Sequence, residues 1–561
     1  MSGRAAQRDA PTLRELLSRA TWAELDRIAA RYGIAFNGRR RELAVDRLAS
    51  LLERPDQLQT AGRMLPPSTR TVLGLLMVLG SAEDEQALVA ARERLLKVRP
   101  DLQGMLGRAH LPNEVQLLLS LGLCLHERRR LVVPAEVLRA LPIPIPIALP
   151  GAAVEVPPQS YASLAYKLNL LLTLLGETAP VAVQTQRVAL DRVTVYQPLL
   201  LTVDVAAELG QRLGVPGSEV VLLLALLEAI GAVAPVHGRW QVQAGWETLS
   251  SHPPLELLRS LVEAWQQPRI LSDLSRTGEF VWRCGPESEG GNSIAQHEAM
   301  VRALLWRWLS GSGTEPLDVA SLGAALAALH PRLFQSIDER ETWITGAERG
   351  RVGSATTNDP GAVAQAVLRQ LLQQLAVLGL IVWDTHSCRL TPLAVGMLMG
   401  QDFSQTPPRL ESVGAAVVRV QPLTVSPSLL VLLSTAGRML PPEGEYARYE
   451  IEPRGLVRLQ ERSIPVSGLV EAVAAAGAVL QPDFQTQLAA WAERAGRIKQ
   501  HRPLTILLTA EDAPLLQILA AAGAAETAEV LGPGCALLEP DAVEAAVEQL
   551  RARGFWPTIR A

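Results

Sequence analysis

Apolar residues recur at helical spacing along most of the chain, and glycine repeatedly ends the recurrence. Between residues 13 and 54, Trp22, Leu25, Ile28, Ala29 and Tyr32 form one stripe, and Leu43, Leu48, Leu51 and Leu52 form another. The pattern predicts two helices around a tight turn, with Gly33 as the stop and Asn37-Gly38 leading into the second helix. Three later segments share one grammar: "EVQLLLSLGLCLHERRRLVVPAEVL", "EVVLLLALLEAIGAVAPVHGRWQVQ" and "VLRQLLQQLAVLGLIVWDTHSCRLTPLAVGML". Each reads as an apolar helix stopped at glycine (Gly122, Gly231, Gly379), then a strand, a polar turn, a second strand and a further helix. His237-Gly238 suits a two-residue hairpin turn. A helix followed by a β-hairpin is the closing half of a winged helix, so three winged-helix-like units are expected.

From about residue 411 strands alternate with helices. "VGAAVVRVQPLTV", "YARYEIEP", "PLTILLT" and "GCALLEP" read as strands, and "SPSLLVLLSTAG", "VSGLVEAVAAAG", "DFQTQLAAWAERAG", "EDAPLLQILAAAG" and "PDAVEAAVEQLRARG" as helices. A strand-like "FWPTI" follows. Proline-rich "LPIPIPIALPGAAVEVPPQ" (141–159) cannot continue a helix and is expected to run extended between units. The glycine-rich stretches 284–293 and 345–361 read as loops. The fold class expected is mainly α and multi-domain, with winged-helix-like repeats followed by a C-terminal α/β domain. The divisions are a helical hairpin over 1–58, winged-helix-like units over 62–140, 160–275 and 294–402, and an α/β domain over 411–561. The octapeptide "TAGRMLPP" occurs at 60–67 and again at 435–442 with different flanks, and it reads as a local stop signal.

Composition narrows the function classes. With 48% hydrophobic and 20% charged residues among 561, the chain has the makings of packed cores, and 4% aromatics with abundant alanine and leucine favours helices. A net charge of −4 is inconsistent with wholesale coating of DNA, so any nucleic-acid contact must be local. Lysine occurs only at 97, 167 and 499, leaving arginine as the working cation. The four cysteines lie more than a hundred residues apart, without zinc or disulfide spacing, which fits a reducing cytoplasm. The first residues lack the apolar stretch of a signal peptide, and the run 220–236 is interrupted by Glu228, Gly231 and Pro235. The expectation is a cytoplasmic protein without a membrane association.

Two resemblances add to this. The segment "TWAELDRIAARYGIAFNGRRRELAVDRLASLLE" resembles a SAP motif, a small DNA-binding helical hairpin, with arginines where lysines are usual. The C-terminal third, through "VRVQP", "YARYEIEPRGLVRLQERSIPVSGLVEAVAAAG", "QPDFQTQLAAWAERAGRIK" and "LEPDAVEAAVEQLRARGFWPTI", resembles the helicase-associated domain of XPB-type DNA helicases and of stand-alone bacterial proteins. The second resemblance implies a domain that docks DNA or a partner subunit beside a motor. It supplies no active-site residues.

Catalytic patterns are absent. A phosphate-binding loop needs glycines and a lysine in GxxxxGK[ST], and none of the three lysines has that context, so no ATP hydrolysis is expected. "HEAMV" (297–301) places valine where a zincin helix needs a second histidine. His386 and Cys388 have no further ligands nearby and read as structural or surface residues, and "LGPGCALLEP" leads into a strand where a dinucleotide site needs a helix. No enzyme activity and no cofactor are expected.

Binding residues are sought among cations. The helices before the three hairpins carry Glu114, Gln116 and Ser120; Ser218, Glu219 and Glu228; and Gln365, Arg369, Gln370, Gln373 and Gln374, so none has a cationic face for the major groove. The candidates are Asn37, Gly38, Arg39, Arg40 and Arg41, where a helix start and three guanidinium groups can hold phosphate, and Arg128, Arg129 and Arg130 on the first hairpin turn. A solvated charge run competes at both places and is preferred at the second. The function expected is a non-enzymatic, DNA-associated adaptor that holds nucleic acid weakly and docks a protein partner such as a helicase. The alternative is a protein-protein scaffold without nucleic-acid affinity.

Overall fold

The structure, a computed structural model, describes residues 11–36, 40–107, 111–143, 146–154, 160–183, 186–190, 193–197, 200–243, 245–268, 273–274, 277, 279–284, 291–335, 342–346, 359–400, 408–413, 416–443, 446–494, 505–508, 515–525, 528–532, 534–538 and 540–553. Among them 24 α-helices stand against 19 strands, none longer than seven residues, so the protein is mainly helical. The chain divides into two compact units, Met1–Leu488 and Ala489–Ala561. The strand-and-helix alternation beyond residue 411 is therefore shared between them. No described helix is long and apolar enough to cross a membrane.

One topology recurs three times in the first unit. Helix Pro67–Leu79 leads to Ser81–Ala82, helices Glu85–Val98 and Leu111–Ser120, and the hairpin Leu125–Glu127/Arg130–Val132. Ser81–Ala82 pairs with the second hairpin strand, giving a three-stranded sheet. Helix Ser160–Thr178, a single bridge from Val181 to Arg239, helices Val203–Leu213 and Gly217–Ala229, and the hairpin Val233–Val236/Arg239–Val242 repeat the order. Helix Gly291–Ser312, strand Leu317–Asp318, helices Val319–Leu329 and Pro360–Val377, and the hairpin Ile381–Trp383/Ser387–Leu390 repeat it again. Gly122, Gly231 and Gly379 take φ of 68°, 76° and 72°, which lets each helix stop and turn without a Cβ clash. The sequence pattern predicts the hairpins, but a two-residue third strand is too short to leave a period.

Several expectations need correction. The N-terminal segment forms three helices, Leu13–Arg19, Trp22–Arg31 and Arg41–Leu52, rather than two. Thr12 and Thr21 each close a capping box with the glutamate three residues on, and the second box breaks the first apolar stretch at Ala20. Leu43, placed in the apolar stripe, is 60% exposed. The proline-rich linker is pinned rather than merely extended: Gly151 N–H donates to Pro316 O, Asp318 N–H to Leu149 O, and Arg99 Nη1 to Pro146 O. The loop expected over 284–293 overlaps the ends of strand Phe280–Cys284 and helix Gly291–Ser312, and that over 345–361 overlaps strand Thr342–Gly346 and helix Pro360–Val377. "FWPTI" lies outside the described residues.

Beyond residue 408, Leu410–Val413, Val417–Val420, Tyr446–Ile451 and Gly437–Glu443 form an antiparallel sheet in that order. Alternation along Tyr446–Ile451 buries Ala447, Tyr449 and Ile451 and turns Tyr446, Arg448 and Glu450 outward. On the outer side Arg419 pairs with Glu411 and Glu443, Arg438 with Glu450 and Glu452, and Arg448 with Glu443. In the second unit Thr505–Leu508, Cys535–Leu538 and Glu529–Gly532 form a three-stranded sheet, and Ala536 and Leu538 share a core with helices Leu515–Ala521 and Pro540–Ala552.

The third repeat is locked by a buried polar chain. Arg302, with no solvent exposure, donates through Nη1 to Asp273 at 2.6 Å and through Nη2 to Gln267 O at 3.0 Å. Gln374 Nε2 donates to the other Asp273 oxygen at 2.7 Å and its Oε1 accepts from Trp265 Nε1 at 2.6 Å. A buried ion pair adds little net stability over apolar packing, but removing one partner strands the other charge. Arg302→Ala, which removes the cation facing both Asp273 and Glu298, is expected to destabilise the protein by about 3–5 kcal/mol, measured by denaturant unfolding.

Candidate nucleic-acid interface

The two candidate arginine clusters belong to one packed body. Leu13, Leu16, Leu17, Leu25, Ile28, Leu48 and Leu52 share a core with Leu125 and Val132 of the first hairpin. Polar contacts fix the arrangement: Leu13 N–H donates to Glu136 at 2.7 Å, Tyr32 Oη to Leu121 O at 3.0 Å, Arg19 pairs with Glu127, and His126 Nδ1 lies 2.9 Å from Glu24. Burial raises the Glu24 carboxyl pKa, but hydrogen bonds from the Thr21 backbone, His126 and the Thr21 hydroxyl outweigh it and hold the group below its ordinary value.

Within this body the arginines divide by role. Asn37, Gly38 and Arg39 lie outside the described residues. Arg40 is exposed at the N-cap of helix Arg41–Leu52, which no side chain caps. Arg41 is a structural residue: its guanidinium donates to Ser18 O at 3.2 and 3.0 Å and to Ala20 O, covering the carbonyl end of helix Leu13–Arg19. A guanidinium spent on helix carbonyls has fewer donors to offer phosphate. Arg130 lies 3.8 Å from Glu83, with both groups exposed. Arg128 and Arg129 are exposed, with no hydrogen bond or ion pair to another described residue.

Charge along the sequence separates in the same way. Residues 1–140 hold 22 Arg and Lys against 16 Asp and Glu, a net of +6, whereas the remaining 421 hold 31 against 41, a net of −10. Summed over the whole chain, the two cancel to the mild acidity that obscures the basic end. Arg31, Arg54 and Arg63 are further exposed cations in this part. They escape a search for arginine runs because they stand singly, and counting charge by segment brings them out.

Most of the polar side chains singled out on the helices preceding the hairpins are engaged within the fold. On Leu111–Ser120, Glu114 accepts from the Thr69 hydroxyl and Gln116 from Arg27 Nη1, and helix Trp22–Arg31 packs against it. Residues 219–227 of the second are all buried, with Glu219 paired to Lys167 at 2.7 Å. On the third, Gln374 is buried, Gln365 donates to Ala320 O and Arg369 pairs with Glu279.

The remaining residues singled out for chemistry make contacts within the fold. His297, from "HEAMV", donates through Nε2 to Leu333 O at 2.6 Å and meets Trp282 edge to face; burial lowers its pKa. With Asp273 and Glu298 it lines a cavity of about 20 Å³, which has room for one water. An open groove of about 800 Å³ is lined by Glu228, Thr248, His252, Ser260 and Glu263 among others. No three His, Cys, Asp or Glu among the described residues are placed to hold a metal. Burial pushes the Cys124 and Cys388 thiols up to about 12, which leaves them unreactive. His386 lies in the third hairpin turn, where its N–H donates to Asp384. No family model and no curated protein matches the chain.

Arg41→Ala is expected to cost about 1–3 kcal/mol, read by denaturant unfolding, and to leave nucleic-acid binding unchanged. Since the Glu24 pKa is depressed on folding, its contribution is present above pH 4.5 and is lost as the pH falls through the folded-state value. The stability gap between wild type and Glu24→Gln therefore closes on acidification below pH 4.5.

Proposed function

We propose that this protein is a non-enzymatic, DNA-associated adaptor of the cytoplasm, in which the basic first 140 residues hold the phosphate backbone weakly and the rest of the chain docks a protein partner. The observation that carries this reading is the concentration of net positive charge, +6, in residues 1–140 of an otherwise acidic chain. Exposed Arg40, Arg128 and Arg129 supply groups suited to phosphate oxygens. The three repeats are read as winged-helix units, and the N-terminal helices as a SAP-like module. The helices before the hairpins are occupied by internal contacts, so contact with DNA is through the backbone and not through base edges. The resemblance of 411–561 to a helicase-associated domain makes a DNA helicase the partner class.

A scaffold without nucleic-acid affinity is the second reading, favoured by the burial of helix Gly217–Ala229 and the paired charges on the outer side of the 410–451 sheet. Mobility shift of a short duplex by the full chain across a salt series separates the two. The adaptor reading expects a complex at low salt whose log K falls against log salt with a slope of about −3, near −0.9 per phosphate contact, and a shallower slope for Arg40→Ala. Absence of any complex at low salt would leave the scaffold.

A further inference from the structure

The first hairpin turn is built from residues its backbone disfavours. Glu127 and Arg130 pair across the strands, and between them Arg128 and Arg129 take φ of 49° and 79°. Two consecutive positive φ angles are what a two-residue type I′ turn requires, and Asn-Gly or Asp-Gly meets that requirement with least strain. A residue bearing a Cβ meets its own carbonyl there, a penalty glycine escapes. The hairpins of the other two repeats follow the ordinary chemistry. His237-Gly238, at 49° and 73°, puts glycine second. In the third, the Asp384 carboxylate accepts from the N–H groups of His386 and Ser387.

Of the two repeats whose hairpins close with a two-residue left-handed turn, only the first has arginine at both positions; the third closes through the four residues 384–387, where no positive φ occurs. Neither guanidinium repays the strain inside the described fold, since both are exposed with no described partner, while the flanking Glu127 and Arg130 are engaged by Arg19 and Glu83. Strain without an internal contact to offset it points to an external ligand. Two adjacent guanidinium groups on a protruding turn suit the oxygens of a polyanion. The helix Leu111–Ser120 behind them carries a carboxylate and an amide already engaged by Thr69 and Arg27.

We propose that the Arg128-Arg129 turn supplies two of the phosphate contacts to duplex DNA and that it holds the duplex irrespective of sequence, with helix Leu111–Ser120 staying out of the groove. The inference rests on the DNA-associated reading above and names the element through which it acts.

The test uses the full chain, with Arg128→Asn combined with Arg129→Gly, which gives the turn its preferred residues while removing both charges. Thermal unfolding should show this variant melting above wild type. Fluorescence anisotropy on two duplexes of equal length and unrelated sequence should show equal weakening on both, with the salt slope shallower by about 1.8 for two lost contacts. Arg128→Lys with Arg129→Lys should keep the slope. Arg128→Gln with Arg129→Gln leaves the turn as strained as in wild type and should lose the same slope, so the reading of the charges does not hang on one variant's fold.

Wild-type affinity and slope in the Asn-Gly and Gln-Gln variants overturn the turn as a contact while leaving the adaptor reading in place. No binding by wild type overturns both. Preference of wild type for one duplex by more than about tenfold, the discrimination a single base-reading pair supplies, overturns sequence independence. Displacement by polyglutamate as effective as by unlabelled duplex at equal charge overturns DNA as the ligand in favour of an acidic polypeptide.

Discussion

The arrangement at the basic end depends on Leu125 and Val132 packing into the core made by the three N-terminal helices. A hairpin of three-residue strands is too short to hold itself, and burying a leucine or valine is worth about 1.5–3 kcal/mol, so these contacts decide where the turn points. Their consequence is twofold. Helix Trp22–Arg31 is brought against helix Leu111–Ser120, and the Arg128-Arg129 turn is left as an exposed tip of the same body. Gly122 belongs to this constraint through its φ of 68°, which favours glycine, while a Cβ there would meet only the movable Cδ1 end of Leu52.

The first and third repeats are joined by strong donors seeking backbone carbonyls. Arg307 Nη2 and Trp308 Nε1, on helix Gly291–Ser312, both donate to Val78 O, and Arg94 Nε donates to Ala328 O. Val78 O belongs to the last turn of helix Pro67–Leu79, where carbonyls lack intrahelical partners. Desolvation pushes the Arg307 pKa down to about 10, still far above neutrality, so the contact stays cationic. The sheet region beyond 408 is tied in comparably: Arg462 donates to Asn169 Oδ1, Thr435 Oγ1 and Thr173 Oγ1, linking helices Ser160–Thr178, Pro427–Ala436 and Pro453–Glu461. Arginines in this protein thus serve two ends, and burial separates them.

Much of the helical architecture is legible in the sequence because helices of ten or more residues carry a period strong enough to read. The three glycine stops, the His237-Gly238 turn and the passage of 217–236 from helix to strand follow from local chemistry alone. Other elements leave no trace. Strands Ser81–Ala82 and Leu317–Asp318 are two residues long, and Gln186–Leu190, Val193–Gln197, Phe280–Cys284 and Thr342–Gly346 meet in one sheet only through pairing across distant segments. At the candidate site the arginine runs are visible in sequence. That Arg41 binds helix carbonyls while Arg128 and Arg129 have no partner among the described residues is not, because both kinds of run read alike.

The octapeptide TAGRMLPP marks the boundary between the two levels. At 60–67 its Gly-Arg-Met continues helix Pro55–Met64, whereas at 435–442 the same residues begin strand Gly437–Glu443 beside Tyr446–Ile451. Gly62 lies against the Leu141 side chain and Gly437 against the Glu450 backbone, so each copy uses its glycine for a close approach to a different neighbour. The sequence by itself determined the mainly helical class, the recurring helix-hairpin grammar, and a basic first quarter in an acidic chain, since these rest on local propensity, periodicity and charge. Tertiary structure alone decided strand or helix for the repeated octapeptide and which arginines are engaged, because those outcomes turn on partners distant in the chain.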